Sequence, residues 1–433
     1  MNIMENKIVI IGLDGVPFEM IREYAREGIM PNTAELIDTG VFRKCNSTIP
    51  EISSVAWSSI ITGKNPGEHG IYGFTDLQEH SYKVKFPNYN DLKAPPFWEQ
   101  WPGKSVIINV PATYPVRPMN GIHVSGFVSI DINKSVYPQS IINQLSDIDY
   151  RLDVDSKKAH TSMPDFLEDL DRTLDARVAA YRYLWDDSID WSTFMLVFTG
   201  TDRLMHFLWD AYEDDKHKFN TAFSLHFGRI DKIIGEIRSK LTEKNLIVML
   251  SDHGFERLYK DVYINRLLID EGFLTFDGPE PQMSAINSKA KAFALDPARI
   301  YINYKDKYPN GSVSAADGQA VLKELENFFD QLRYNGKRVI RNIYRRDDVF
   351  HGNFVMNAPD MVLVAESEFN LKAMLKAPRA FDKDIFTGKH TYDTAFMLFN
   401  GLNHPDIVPQ VPCVQDMRWI IEKDRKIRYR NGS

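Results

Sequence analysis

The sequence contains no apolar run long enough to cross a membrane. A membrane-spanning helix needs about 20 consecutive apolar residues, and no stretch of this chain approaches that length. The first residues pass almost directly into an apolar segment at 7–13, without the charged region and cleavage site of a secretory signal. We therefore expect no membrane partner and a cytoplasmic location.

Cysteine is scarce as well. Cys45 and Cys413 are the only cysteines among 433 residues, too few for a disulfide framework in a chain of this size. We expect both to be plain thiols, which agrees with the cytoplasmic prediction.

The chain also lacks a basic excess. Lysine and arginine number 52 against 59 aspartates and glutamates, which gives a net charge of -7. Proteins that bind nucleic acid usually carry a basic patch or stripe, so a small substrate is the expected partner rather than a nucleic acid polymer. The sequence contains no GxGxxG motif. It also has no Walker A loop, because the glycines and lysine at 63–67 do not have the spacing of that motif.

Short apolar segments separated by amphipathic stretches dominate the rest of the sequence. Segments that are apolar on both faces are typical of strands covered by helices on both sides, and helical patterns such as 166–185 and 219–241 lie between them. The pattern predicts an α/β fold with a central, mostly parallel sheet flanked by helices. The predicted strands of that sheet are 7–13, 106–110, 194–198, 245–250, 361–365 and 395–399.

Two stretches fit this alternation poorly. Residues 75–96 are polar, aromatic and rich in proline, and we expect a surface excursion there. Residues 258–348 combine a Gly/Pro-rich loop with a short strand, a helix and a basic segment at 338–346. We predict that 258–348 form a small α/β cap or substrate lobe, inserted into a core made of 1–257 and 349–433.

Carboxylate and imidazole side chains recur beside the predicted strands. Ligands collect at the carboxyl ends of strands in open α/β sheets, and mixed Asp/His sets bind zinc or manganese. Six residues are enough for two ions, which together can support an in-line phosphoryl displacement. Each residue alone has an ordinary explanation, such as a turn or a surface pair, so the hypothesis depends on their combination. The six are Asp14, Asp202, His206, Asp252, His253 and His390.

A nucleophile for that chemistry is available in the segment 47–63. A helix is predicted to begin near Ser53, and its unpaired backbone N–H groups favour an anion. A serine hydroxyl in contact with a metal ion can ionise without a separate general base. The ordinary explanation of Ser53 is a helix cap, and Ser54 is the alternative nucleophile.

The motifs together resemble the alkaline phosphatase superfamily, and within it the type I phosphodiesterase/nucleotide pyrophosphatase branch, in its phosphohydrolase/phosphomutase-like group. The resemblance spans about residues 7 to 400. It is carried by IGLDGVPFEMI, TIPEISSVAWSSIITGKNPGEHGIYGF, TGTDRLMHFLWD, LSDHGF and GKHTYD.

The resemblance implies a two-metal site and a seryl-phosphate-type covalent intermediate. One ion is expected on Asp14, Asp252 and His253 with Ser53 as a further ligand, and the other on Asp202, His206 and His390. Zinc is the expected metal, with manganese as the alternative. The implied activity is hydrolysis of a phosphodiester or nucleotide pyrophosphate bond in a small phosphorylated or nucleotide-like substrate.

Serine at position 53 departs from the threonine of many relatives in this branch. Alkaline phosphatases and related mutases resemble this chain in using serine, so a phosphomonoesterase or phosphomutase stays an alternative activity. A non-catalytic ligand-binding relative is the alternative from another class. A formylglycine sulfatase is excluded, because the residues after Ser53 lack the proline and arginine of the sulfatase motif.

Three further features receive structural rather than catalytic interpretations. His69 and His123 are expected outside the catalytic set. The basic segment 338–346 is expected to form a solvated face. The family's usual ending is replaced after 401 by a predicted strand near 411–417, followed by a basic tail at 423–433.

Overall fold

The structure is a computed structural model that describes residues 6–426. The chain divides into two compact units, a larger one built from Met1–Lys64, Asn88–Phe255 and His390–Ser433 and a smaller one built from Asn65–Pro87 and Glu256–Lys389. The smaller unit therefore contains the predicted lobe at 258–348, and it also includes the flanking residues up to 389 and part of the predicted excursion. Its role in substrate binding stays a prediction.

An eight-stranded sheet forms the centre of the larger unit. Its strands in chain order are β1 (Ile8–Leu13), β2 (Val41–Cys45), β3 (Lys104–Val110), β4 (Gly121–Ser125), β5 (Val136–Tyr137), β6 (Trp191–Phe198), β7 (Leu246–Leu250) and β8 (Ala395–Asn400). Their order across the sheet is β2-β8-β7-β1-β6-β3-β4-β5. β7, β1, β6, β3 and β4 are mutually parallel, whereas β8, β2 and β5 are antiparallel to the neighbours they pair with. The predicted α/β fold with a mostly parallel sheet is confirmed.

The central strands are apolar along their whole length because helices pack on the sheet. Every residue of β1 and β7 is buried, as expected where both faces of a parallel sheet are covered. The α-helices of the larger unit are Phe18–Arg26, Pro31–Thr39, Ser53–Thr62, Phe97–Gln100, Ile142–Asp147, Met163–Leu184, Gly200–Glu213, Asn220–Ser239 and Asp416–Arg425.

The smaller unit is built on a four-stranded antiparallel sheet, in the order Ala292–Leu295, Arg299–Ile302, Met361–Ala365 and Ile340–Arg345. Its other strands are Asp76–Leu77, Val84–Lys85, Lys260–Tyr263, Arg333–Tyr334, Lys337–Arg338, Phe369–Lys372 and Phe381–Asp382. Its α-helices are Pro66–His69, Ile264–Asp270, Gly318–Gln331 and Arg346–Val349. Two short strands, Gly254–Arg257 and Gly388–Thr391, lie where the chain passes from one unit to the other.

Two predictions of secondary structure are wrong in their placement. Met361–Ala365 is a strand as predicted, but it belongs to the sheet of the smaller unit, because a short apolar run does not encode which sheet it joins. Instead of the strand predicted near 411–417, the described structure has a single β-bridge between Cys413 and Asn46. Helix Asp416–Arg425 forms instead and buries Met417, Ile420 and Ile421, whose spacing is helical. Residues 427–433, most of the basic tail, lie outside the described residues.

The remaining predictions concern the basic segment, the thiols and the membrane. Arg338, Arg345 and Arg346 form ion pairs with Asp330, Glu326 and Asp360, so at least three of the four arginines of the basic segment are paired within their own unit. Cys45 and Cys413 are both free thiols, as expected. Within residues 6–426, no helix combines the length and the apolar character that a membrane crossing needs. The cytoplasmic location stays a prediction.

Candidate active site

Three parallel strands bring candidate residues to one edge of the main sheet. Asp14 directly follows β1, and Asp252 is the second residue after β7. Helix Gly200–Glu213, which carries Asp202, begins two positions after the end of β6. Because the strands are parallel, their carboxyl ends meet at the same edge, which is the usual position of a site in this class of fold.

Two further strands reach the same edge for a different reason. β8 runs antiparallel to β7, so its amino end lies at this edge, and His390 precedes that end by five residues. β2 is antiparallel to β8 and therefore runs in the direction of the parallel strands. The segment after β2 leads to helix Ser53–Thr62, which places Ser53 beside the other candidates.

Asp202, His206 and His390 form the first compact donor group. Nε2 of His390 lies 3.0 Å from Oδ1 of Asp202 and 3.0 Å from Nε2 of His206. His206 Nε2 is 3.5 Å from the same carboxylate oxygen, one helical turn along. The side-chain atoms of the three residues can hold one metal ion. The predicted helical spacing of Asp202 and His206 is therefore confirmed.

Asp14, Asp202 and His253 form the second donor group. Nε2 of His253 lies 3.7 Å from Oδ1 of Asp14 and 4.0 Å from Oδ1 of Asp202. All three residues are buried, and their donor atoms lie within 4.8 Å of one another. Asp202 thus belongs to both groups, whereas the sequence analysis assigned it to one ion.

Asp252 lies beside the second group. Its Oδ1 accepts a hydrogen bond from the backbone N–H of Gly15 at 3.0 Å. Its Oδ2 is fully buried without a hydrogen-bond partner among the described residues and lies 3.3 Å from Nε2 of His253. The predicted assignment of Asp252 and Asp14 to one ion stays a prediction.

Ser53 is the serine that touches the donor groups. Its hydroxyl oxygen lies 3.2 Å from Nε2 of His253 and 3.5 Å from Oδ1 of Asp14. The hydroxyl of Ser54 is buried and has no hydrogen-bond partner among the described residues. Ser53 also begins its helix as predicted, so the geometry favours Ser53 over Ser54.

Burial and interactions between charges shift the pKa values of the three carboxylates. Burial, followed by the charges of Asp252 and Asp202, raises the pKa of Asp14 well above its usual value. Burial and the charge of Asp202 raise the pKa of Asp252 to about 7. Burial also opposes ionisation of Asp202, but the charges of His206 and His390 outweigh it and lower the pKa of Asp202. A cation at this position would relieve the repulsion among the carboxylates.

The pKa values of His253 and His390 shift in opposite directions. Burial, and then the charge of His390, lowers the pKa of His253 well below its usual value. Burial alone would also lower the pKa of His390, but its hydrogen bond with Asp202 and the charge of that residue raise it. The neutral imidazole of His253 is the form that can bind a metal ion.

Two residues that position the donors, Trp57 and Arg203, were not predicted from the sequence. The indole N–H of Trp57 donates to Oδ2 of Asp14 at 3.1 Å. The guanidinium of Arg203 donates to Asp202 at 2.9 Å and to Asp153 at 3.0 Å. A signal existed for both residues, since Trp57 is one helical turn after Ser53 and Arg203 follows Asp202 directly.

The two histidines expected outside the catalytic set have structural environments. His123 is buried in the larger unit, with Nε2 3.1 Å from the hydroxyl of Thr113, and burial lowers its pKa to about 3. His69 belongs to the smaller unit, where its Nδ1 accepts a hydrogen bond from the backbone N–H of Ile71. Neither belongs to the two donor groups.

Comparison with known proteins identifies the family and similar folds. The sequence model of the family described as type I phosphodiesterase / nucleotide pyrophosphatase matches residues 8–393. A search of curated proteins gave no significant match. Phosphonoacetate hydrolase from Sinorhizobium meliloti 1021, solved with phosphonoformate, superposes over 97% of this chain and 96% of that chain, at 15% identity and a TM-score of 0.66.

A second similar structure is an inactive variant of murine ectonucleotide pyrophosphatase / phosphodiesterase 5 in complex with AMP. The match covers 99% of this chain and 98% of that chain, at 13% identity and a TM-score of 0.54. At these identities the structural likenesses show the fold alone, whereas the family model covers most of the sequence. The chain belongs to the type I phosphodiesterase/nucleotide pyrophosphatase family and is a hydrolase of the alkaline phosphatase superfamily.

Proposed function

We propose that this protein hydrolyses a phosphodiester or nucleotide pyrophosphate bond of a small substrate, with Ser53 as the nucleophile. The observation that carries the proposal is the position of the Ser53 hydroxyl, in contact with His253 and near Asp14. That contact puts an oxygen nucleophile next to two donor groups that share Asp202.

The donor set fits two divalent metal ions, and zinc with manganese as the alternative suits its mixture of carboxylates and imidazoles. Oδ2 of Asp252 is buried without a hydrogen-bond partner among the described residues, as expected for an oxygen that binds a cation. Ions bound here would stabilise an ionised serine hydroxyl and the charge on the phosphoryl oxygens. The proposed holders are Asp14, Asp252, His253 and Ser53 for one ion and Asp202, His206 and His390 for the other.

The residues around the donor groups hold these side chains in place. Trp57 fixes one oxygen of Asp14, and Arg203 fixes one oxygen of Asp202, so that the second oxygen of each carboxylate faces the donor groups. The backbone carbonyl of Glu51 lies 3.0 Å from Nδ1 of His390. An N–H group at Nδ1 would donate to this carbonyl, so that the lone pair of Nε2 could bind a metal ion.

The proposed reaction has two displacements. In the first, Oγ of Ser53 loses its proton and bonds to phosphorus, while the bond from phosphorus to the leaving oxygen breaks and that oxygen takes up a proton. In the second, the oxygen of a water molecule loses one proton and bonds to phosphorus, the bond from phosphorus to Oγ of Ser53 breaks, and Oγ takes up a proton. Helix Ser53–Thr62 begins at the nucleophile, and the positive end of its dipole favours the anionic phosphoryl group.

Paired reporter substrates test this function. We expect the metal-loaded protein to hydrolyse p-nitrophenyl phenylphosphonate and the p-nitrophenyl ester of thymidine 5'-phosphate faster than p-nitrophenyl phosphate. Zinc and manganese are supplied separately, and a chelator is expected to abolish turnover. A preference for the monoester would support the phosphatase or mutase alternative, which serine at position 53 allows.

Matched serine variants assign the nucleophile in the same assay. Ser53→Ala is expected to abolish turnover, whereas Ser54→Ala is expected to retain it. Ser58→Ala is the control, because Ser58 lies in the same helix and its hydroxyl donates to the carbonyl of Ser54 instead of facing the donor groups. Full activity in Ser53→Ala would contradict the assignment.

A further inference from the structure

A small cavity lies behind the segment that presents Asp202. Its walls come from helix Met163–Leu184, helix Asn220–Ser239 and the residues that follow β6, and its volume is ≈ 20 Å³. That volume has room for about one water molecule or one monatomic ion.

One wall of the cavity carries an unpaired positive charge. Arg177 is only 3% exposed, and its Nη1 has no hydrogen-bond partner among the described residues. Its Nη2 donates to the carbonyls of Arg151 and Leu152, and its guanidinium lies 4.7 Å from the centre of the Tyr150 ring. These partners are uncharged, and buried charges are normally paired.

The charge on Arg177 persists at neutral pH. Burial lowers the pKa of Arg177 to about 9, which leaves the guanidinium protonated under ordinary conditions. Among the described residues, the Nη1 amino group of this desolvated cation has no acceptor, and an anion in the cavity would supply the missing counter-charge.

A second unpartnered polar atom belongs to His226. This side chain is 3% exposed, lines the same cavity, and its Nδ1 has no hydrogen-bond partner among the described residues. Burial, and then the charge of Arg229, lowers the pKa of His226 to about 3. The imidazole is therefore neutral, and with its proton on Nδ1 it can donate to an anion.

The third feature is the start of helix Gly200–Glu213. Thr199 and Gly200 line the cavity, and the side chain of Thr199 does not cap the helix. The backbone N–H groups of the first turn and the helix dipole favour an anion at this end.

We propose that this cavity binds a single halide ion, chloride under ordinary conditions, between Arg177, His226 and the start of helix Gly200–Glu213. The ion would be separate from the phosphoryl substrate and from the two metal-binding groups. Because the same helix carries Asp202 in its first turn, halide binding would stabilise the segment that presents this carboxylate.

Thermal unfolding of the full chain with its metals tests the proposal. Sodium chloride or bromide is compared with sodium methanesulfonate at equal ionic strength, since methanesulfonate is a larger anion than either halide. We expect the halides to raise the Tm by about 2 °C or more. Equal Tm values in the three salts would overturn the proposal.

Two arginine variants on one helix separate binding in the cavity from a general salt effect. Arg177→Met removes the buried charge and is expected to abolish the halide-dependent shift. Arg172→Met is the control, because Arg172 is exposed and makes only a long ion pair with Asp149, and it is expected to keep the shift. An undiminished shift in Arg177→Met would overturn the proposal.

Bromide crystallography decides the question even if Arg177→Met fails to fold. Crystals of the unaltered protein grown with sodium bromide are expected to show an anomalous peak between Arg177 and His226. A water molecule without anomalous signal at that position would overturn the proposal.

Discussion

The hydroxyl oxygen of Ser53 lies 3.2 Å from Nε2 of His253, although the two residues are 200 positions apart in the chain. Ser53 begins a helix and His253 follows β7, so their contact depends on how the helix meets the edge of the sheet. The same nitrogen lies 3.7 Å from Oδ1 of Asp14. Ser53 and the donor residues therefore form one cluster, and its members can be tested separately.

Ser53→Thr separates the need for a hydroxyl from the need for serine. Threonine keeps an oxygen on Cβ, so we expect this variant to retain measurable turnover, whereas Ser53→Ala loses at least about a thousandfold in kcat. Both variants should keep their metal content, since six other donors remain. The check is kcat with the diester reporter, alongside elemental analysis of the same samples. Equal losses in Ser53→Thr and Ser53→Ala would show that the hydroxyl alone is not enough.

His390→Gln tests the first donor group. Nε2 of His390 lies 3.0 Å from Oδ1 of Asp202 and 3.0 Å from Nε2 of His206. We therefore expect the variant to lose about one metal ion per chain after desalting. His123→Gln replaces a buried histidine outside the donor groups and should retain the full metal content. Elemental analysis measures both, and unchanged content in His390→Gln would remove it from the proposed ligands.

Asp252→Asn tests the electrostatic origin of the raised pKa. In the metal-free protein the folded pKa of Asp252 is about 7, above its usual value of 3.8. Between those pH values the folded state holds a proton that the unfolded state has released, so this residue makes the protein less stable as pH rises. Asparagine removes that contribution.

The measurement is the difference in the free energy of unfolding between Asp252→Asn and the unaltered protein, with a chelator, from pH 4 to pH 7. The variant should gain stability relative to the unaltered protein as pH rises. Buried histidines such as His123 have lowered pKa values and contribute the opposite slope, but they are present in both proteins and cancel in the difference. A flat difference would contradict the burial argument.

Two glycine substitutions test the packing beneath the site. A Cβ at Gly12 in β1 would overlap the indole of Trp57, which holds Asp14. We expect Gly12→Ala to destabilise the protein by about 1–3 kcal/mol. Gly228 lies in helix Asn220–Ser239 and has room for a Cβ, so Gly228→Ala should be neutral or stabilise by about 0.5–1 kcal/mol. Denaturant unfolding measures both, and equal effects would contradict the packing argument.

Local sequence pattern was enough to predict which residues lie at this edge of the sheet. Asp14 and Asp252 follow apolar strands, and the parallel sheet brings the ends of those strands together. The spacing of Asp202 and His206 needs only a helix. By contrast, the place of Asp202 in both donor groups depends on distances between separate elements, which the sequence does not encode locally.

The same limit explains the errors in the fold. The run Met361–Ala365 is apolar enough for either sheet, and its partners are chosen by long-range packing. The segment 411–414 pairs only once, in a single β-bridge between Cys413 and Asn46, while Met417, Ile420 and Ile421 supplied the helical face that formed. Trp57 and Arg203 act through hydrogen bonds to site carboxylates, which only the folded chain reveals.

The stereochemistry of hydrolysis at phosphorus is the most direct test of Ser53 as the nucleophile. The substrate is one isomer of the p-nitrophenyl ester of thymidine 5'-phosphorothioate, hydrolysed in oxygen-18-labelled water. A covalent intermediate on Ser53 requires two in-line displacements, each of which inverts the phosphorus centre. The account therefore predicts a product of retained configuration, whereas an inverted product would show that water attacks directly and that Ser53 is not the nucleophile.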